Sequence, residues 1–208
     1  MVHTIKHTQI LGLLLLILMT VSCERDISED AVPATFPTTA EVYTDNPVGL
    51  TDEFFISFDP AGGANPEVFG TDDNEAYLGS SSIRIDVPAP NDPNGNFVGG
   101  IFKDRGDGRN LTGYDALTFW VKGSLTGSLE AGFGTDFEID EFPVSAFIDL
   151  ATDWRKVIIP IPDPSRLVQE KGMFLFAAGS FDVLGDDNPD VATSFDDNVG
   201  YTIWIDEI

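Results

Sequence analysis

The sequence predicts an all-β protein: a two-sheet antiparallel β-sandwich of the jelly-roll kind. Three observations lead there. Helix signals are nearly absent, and the only run of helical character, residues 165–171 (SRLVQEK), is a turn or two after Asp163-Pro164. Short apolar runs recur between clusters of Gly, Asp, Asn and Pro, the punctuation of strands and turns. Several of these runs alternate strictly. Leu117, Phe119 and Val121 interleave with Thr118, Trp120 and Lys122. That period is the mark of a strand with only one face in the core. Many short strands with turn chemistry between them close into a sandwich.

The chain starts before the sandwich does. Residues 1–22 read as a secretory signal: Lys6 with His3 and His7 is basic, and residues 10–19 (ILGLLLLILM) are an apolar run too short to span a membrane comfortably. The run ends at Ser22-Cys23, and Cys23 is the only cysteine of the chain. This end resembles a bacterial lipoprotein signal, in which the cysteine becomes the lipidated first residue, although Thr20 stands where such signals usually carry Leu. The other reading is an ordinary cleaved signal with an incidental cysteine. A lone cysteine forms no internal disulfide. Residues 23–50 then read as a tether, first acidic (ERDISED) and afterwards rich in Pro and Thr. Such composition buries too little apolar surface to fold by itself. Acidic residues directly after the cysteine resemble the surface-export signal of lipoproteins in glycan-degrading Gram-negative bacteria. The implied location is the outer membrane.

Residues 51–208 form one domain, a length sufficient for a core without staples. Strands are expected near 53–58, 81–87, 96–102, 116–122, 128–133, 142–149, 154–161, 173–178 and 200–206. Ile83, Ile85 and Val87 alternate with Arg84 and Asp86, and Tyr201, Ile203 and Ile205 with Thr202, Trp204 and Asp206. These strands have one core face and one wet face. The FGTD motif at 69–72 and 133–136 has no other periodicity around it and marks no repeat.

Charge narrows the partners. Thirty-five acids against 11 bases give a net charge of −24 at neutral pH. That argues against nucleic acid and anionic headgroups as partners, and suits a neutral or cationic ligand, divalent cations, or solubility alone. Both histidines lie in the signal, so the exported chain has no Ser-His-Asp or Cys-His machinery and no histidine for a zinc site. Residues 138–143 (EIDEFP) begin like the Glu-x-Asp-x-x-Glu strand of jelly-roll glucanases. Pro143 stands where the second catalytic carboxylate belongs, which leaves Glu138 and Asp140 as an acidic loop before a strand. The expectation is therefore a protein that is not an enzyme.

Four segments resemble galactose-binding-like jelly rolls: residues 75–85 (EAYLGSSSIRI), 114–123 (YDALTFWVKG), 153–160 (DWRKVIIP) and 201–208 (YTIWIDEI). They come in that family's order and cover most of 51–208. The resemblance implies a non-catalytic carbohydrate-binding module, with a polysaccharide or oligosaccharide as partner and the protein a monomer. It also implies a structural calcium ion held by Asp59, Glu75, the carbonyl of Gly79 and Asp206. Sugar binding asks for aromatic platforms with polar groups nearby. Trp120 and Trp204 oppose the core sets of their strands and are the candidate platforms, with Arg84, Lys122 and Asp86 for polar contacts. In 173–178 (MFLFAA), Phe174 and Phe176 share one face, and either that pair or Met173 and Leu175 enters the core; the phenylalanines count as candidate ligand contacts. Trp154, at the start of its strand, is expected to plug the core. Two other classes stay open: a structural or adhesion module whose aromatics are all core, and a jelly-roll hydrolase or lyase acting through Glu138 or Asp140.

Overall fold

The computed structural model describes residues 37–50, 54–58, 60–136, 142–179 and 200–208. Among the described residues ten strands are formed: β1 (Phe55–Ser57), β2 (Phe69–Asp72), β3 (Ser82–Val87), β4 (Phe97–Lys103), β5 (Ala116–Gly123), β6 (Gly127–Phe133), β7 (Val144–Leu150), β8 (Arg155–Pro160), β9 (Gly172–Gly179) and β10 (Tyr201–Asp206). They make two five-stranded sheets, the first in the order β1-β4-β9-β6-β7 and the second in the order β2-β3-β10-β5-β8. All strand pairs are antiparallel. The fold is the all-β sandwich that the alternating pattern predicts.

Nine of the strands coincide with the expected ones to within a few residues. The tenth, β2, comes from the first FGTD motif. Only Phe69 gives it an apolar signal, and that ring stacks on Phe55 at 3.9 Å between centroids, closing the edge between the sheets. The expected helix at 165–171 is a single 3-10 turn, Pro164–Arg166. Past it, Glu170 bridges to Arg109 through backbone bonds of 2.8 Å in both directions.

The inner faces carry the predicted residues. Ile83, Ile85, Val87, Phe119, Val121, Ile203 and Ile205 of the second sheet meet Val98, Phe102, Leu129, Ala131, Phe174 and Phe176 of the first. Each such side chain contributes about 1.5–3 kcal/mol on leaving water. Phe174 and Phe176 are fully buried and lie against Phe102 at 5.3 and 6.1 Å. They are core residues, which corrects their place among the candidate ligand contacts. The reason is the position of β9. It is central in the first sheet, and every one of its residues is buried, Met173 and Leu175 included, so its alternation does not sort inside from outside.

The expected tether is shorter than its composition implies. Val42 and Tyr43 are core residues, and their N–H groups donate to the Ile208 carbonyl, while Ile208 N–H donates back to Tyr43. The strap formed by residues 37–50 is held by Arg109, whose side chain is 2% exposed. Its Nη1 donates to the carbonyls of Thr39 (3.2 Å) and Glu41 (2.7 Å), its Nη2 to that of Val48, and its Nε to Asp104 (3.3 Å). The segment is thus held by its own core residues, by backbone bonds and by one cation that satisfies three of its carbonyls. Removing the guanidinium leaves a buried carboxylate and three carbonyls without it. Arg109→Ala is expected to lower the unfolding free energy by about 3–5 kcal/mol, the cost of breaking a buried charged network. Urea titration followed by circular dichroism measures this, and a loss below about 1 kcal/mol, the level of a surface pair, would show the strap is incidental.

Candidate functional site

Residues directly opposite each other on antiparallel strands share a face. On the outer face of the second sheet, Trp204 lies between Arg84 of β3 and Lys122 of β5. In the next row, Trp120 lies between Asp206 of β10 and Lys156 of β8. Four of the residues singled out in the sequence, Arg84, Trp120, Lys122 and Trp204, are therefore neighbours on one surface.

Two indole N–H groups there find carboxylates. Trp204 Nε1 donates to Asp72 Oδ2 at 3.0 Å, and Arg84 Nη1 approaches the same oxygen at 3.5 Å. Arg84 turns its other edge to Asp86 at 3.0 Å, whose Oδ1 also accepts from Thr202 Oγ1 at 2.8 Å. The Lys122 ammonium lies over the Trp204 ring, 5.5 Å from its centroid, and pairs with Glu75 Oε1 at 3.0 Å. That oxygen also accepts from Trp154 Nε1 at 3.0 Å. One carboxylate thus joins the two aromatic groups of the face. The hydrogen bond from Trp204, then that from the Asn74 backbone, holds the Asp72 carboxyl below the ordinary aspartate range.

The second aromatic group is built by the loop before β3. Asp206 is fully buried. Its Oδ2 accepts from the N–H groups of Tyr77 (2.9 Å) and Leu78 (3.1 Å), and its Oδ1 from Glu207 N–H (2.9 Å). Burial pushes its carboxyl up, and these N–H groups oppose the rise. The loop is thereby drawn across β10 and β5. The Tyr77 ring comes to lie flat on Trp120, with centroids 3.6 Å apart and planes at 12°, and Trp154 meets Tyr77 edge-on at 6.1 Å. Tyr77 is 40% exposed. The open ring here is Tyr77, and Trp120 is its backing. Trp154 is half-buried beside them, since Lys156 opposite Trp120 fixes the strand parity that turns both outward. It does not plug the core.

Tyr77 is a member that sequence reasoning passed over, and Trp154 one that it assigned to the core. Tyr77 sits in a loop, where alternation is silent, although the stretch 75–85 contains it.

Two of the residues expected to hold calcium already serve other donors. Asp206 gives its oxygens to three backbone N–H groups, and Glu75 gives Oε1 to an indole and an ammonium. Gly79 has a left-handed backbone (φ 73°) that brings the Ser80 and Ser81 N–H groups onto the Asp45 carboxylate; a Cβ there would collide with that carboxylate. Asp59 lies outside the described residues, as do Glu138 and Asp140. Among the described residues no three His, Cys, Asp or Glu gather as a metal site.

The outer face of the first sheet is different. Ile101, Leu175 and Ala177 are buried there although they point away from the core. At its edge, Phe147 is 60% exposed opposite Glu130, whose Oε1 accepts from Ser145 Oγ at 2.8 Å.

No protein-family model and no curated protein matches the chain. Among solved structures it is similar to a family 30 carbohydrate-binding module of a cellulosomal cellulase of Clostridium thermocellum, at 19% identity and a TM-score of 0.49 over 81% of this chain and 94% of that one. It is also similar to a family 61 module in complex with β-1,4-galactotriose, at 9% identity and a TM-score of 0.39 over 76% of this chain and 88% of the other. A family 29 module complexed with mannohexaose gives 15% identity and a TM-score of 0.41 over 85% and 90%. These neighbours are carbohydrate-binding modules; at such scores they assign no ligand to this chain.

The Trp204–Asp72 pair sets a pH dependence. The folded-state value of Asp72 lies below the ordinary value of 3.8, so the pair favours folding above that pH and its contribution is lost as pH falls through the lowered value. Thermal melts of Asp72→Asn across the acid range are expected to fall off less steeply below pH about 4 than those of the wild type. Identical acid limbs would place Asp72 outside the linkage.

Proposed function

We propose that this protein is a non-catalytic polysaccharide-binding protein, held at the outer membrane by a lipid on Cys23 and working as a monomer, with a glycan lying along the outer face of the second sheet. The observation that carries the reading is one surface with two aromatic positions and a polar fringe. Tyr77, backed by Trp120, offers an exposed ring, and Trp204 lies between Arg84 and Lys122. A sugar stacks its C–H face on a ring, while charged groups beside it bond the hydroxyls. Arg84 and Asp86 offer donors and acceptors at the rim.

A second reading places the glycan on the outer face of the first sheet. The exposed ring of Phe147 beside Glu130 and Ser145 supports it.

Affinity electrophoresis separates the two. The exported chain would be run through gels containing hydroxyethylcellulose, glucomannan, β-1,4-galactan, laminarin or xylan, with and without calcium. On the first reading, at least one polysaccharide retards the protein. Tyr77→Ala and Trp204→Ala, each shown by circular dichroism to be folded at the assay temperature, then weaken retention roughly tenfold, and Phe147→Ala has no effect. The opposite pattern moves the site to the first sheet. No retardation in any gel would favour a structural or adhesion module. The anchor is tested separately. Fractionation of cells making the Cys23→Ala protein is expected to find it in the soluble fraction, and unchanged membrane association would remove the lipid from the proposal.

A further inference from the structure

We infer that Lys122 is a built-in cover on the Trp204 ring, which a neutral glycan must displace before it can stack there. The inference rests on the glycan reading of this face and reverses the role expected for Lys122, from sugar contact to competitor. Lys122 and Trp204 are directly opposed on β5 and β10, so their side chains rise from the sheet as neighbours. The ammonium lies over the ring, 5.5 Å from the centroid, as a cation attracted to the aromatic face does. Glu75 keeps it there through the 3.0 Å ion pair, and Glu75 is itself fixed by Trp154 Nε1 at 3.0 Å. Arg84, the opposing neighbour on the other side, is turned to Asp72 and Asp86. Of the two cations beside Trp204, Lys122 is the one recorded over its ring.

Two consequences follow from the chemistry. Removing the ammonium uncovers the ring, so binding of a neutral polysaccharide strengthens. Salt acts in the same direction. The Lys122 and Glu75 side chains are 24% and 30% exposed, so their pair is open to screening, and salt loosens the cover. A ligand bearing carboxylates would behave in the opposite way, drawing the ammonium from Glu75 to itself.

The test uses the exported chain and its Lys122→Met and Lys122→Ala variants, with melting temperatures as the folding control. Acrylamide, a neutral quencher, reports ring access without any ligand. Quenching is expected to rise in both variants, and the rise should vanish when Trp204→Phe is added. Affinity for the neutral polysaccharide that retards the wild type most is expected to tighten about threefold to tenfold, the combined strength of an exposed cation–π contact and a surface ion pair. Wild-type affinity should also rise between about 20 mM and about 500 mM sodium chloride, and that of Lys122→Met should not. Weaker binding by both variants, or unchanged quenching, would overturn the inference and make Lys122 a direct contact or a bystander. If no polysaccharide retards either protein, the glycan reading falls, and the quenching comparison still decides whether the cover exists.

Discussion

The guanidinium of Arg109 is the interaction on which the arrangement of this molecule depends. It is a buried cation with one carboxylate and three main-chain carbonyls around it, and charge-assisted bonds of this kind are stronger than neutral ones. By holding the strap at 37–50, it seats Val42 and Tyr43 in the core and brings Asp45 beside the loop that precedes β3. Asp45 accepts from Ser80 and Ser81 in that loop, and Tyr43 Oη lies 3.4 Å from Ser81 Oγ. Asp206 accepts from the same loop at Tyr77 and Leu78. The strap and the closing strand thus grip one loop from two sides, and the ring of Tyr77 is what that grip presents. A residue in the loop before β5 therefore bears on the shape of the candidate face through a short series of polar contacts.

The phenylalanines between the sheets and the tryptophans of the outer face differ in whether they carry a polar atom. Phenylalanine makes no demand for a hydrogen bond, and Phe54, Phe55, Phe69, Phe102, Phe119, Phe174 and Phe176 pack against one another between the sheets. An indole buried with its N–H unpaired is costly. Trp154 and Trp204 sit on the outer face, each with a carboxylate at 3.0 Å. Four of the 35 acids of this chain thereby have a local role. Asp45, Asp72, Glu75 and Asp206 are acceptors for particular N–H groups of the fold as well as surface charge.

The architecture was legible wherever a strand has one wet face. In β3, β5 and β10 the alternation names the inner and outer residues, and the outer set is the one found together. It was illegible in β9, where both faces are covered and period two has no contrast to show. The strap was hidden because its order comes from partners distant in sequence, Arg109 among them, and composition registers only local content. β2 was hidden because four residues with one apolar side chain resemble a turn. Glu75 shows the limit of motif reasoning about a site. Its place before β3 was legible, whereas its partners, Lys122 and Trp154, are set by two other strands and emerge only when the sheet is assembled.

The strap also has a mechanical meaning. The carbonyls of Pro37, Thr38, Thr39 and Glu41 accept from Asn110, Tyr114 and Arg109, and Val42 next donates to Ile208. A pull on the chain from upstream of residue 37 meets these bonds in sequence before it reaches any strand of either sheet. Force is borne first by a loop and a single guanidinium at the margin of the sandwich. The aromatic face, built on the middle strands of the second sheet, lies further along the load path and is joined to the strap through Asp45 and the loop before β3.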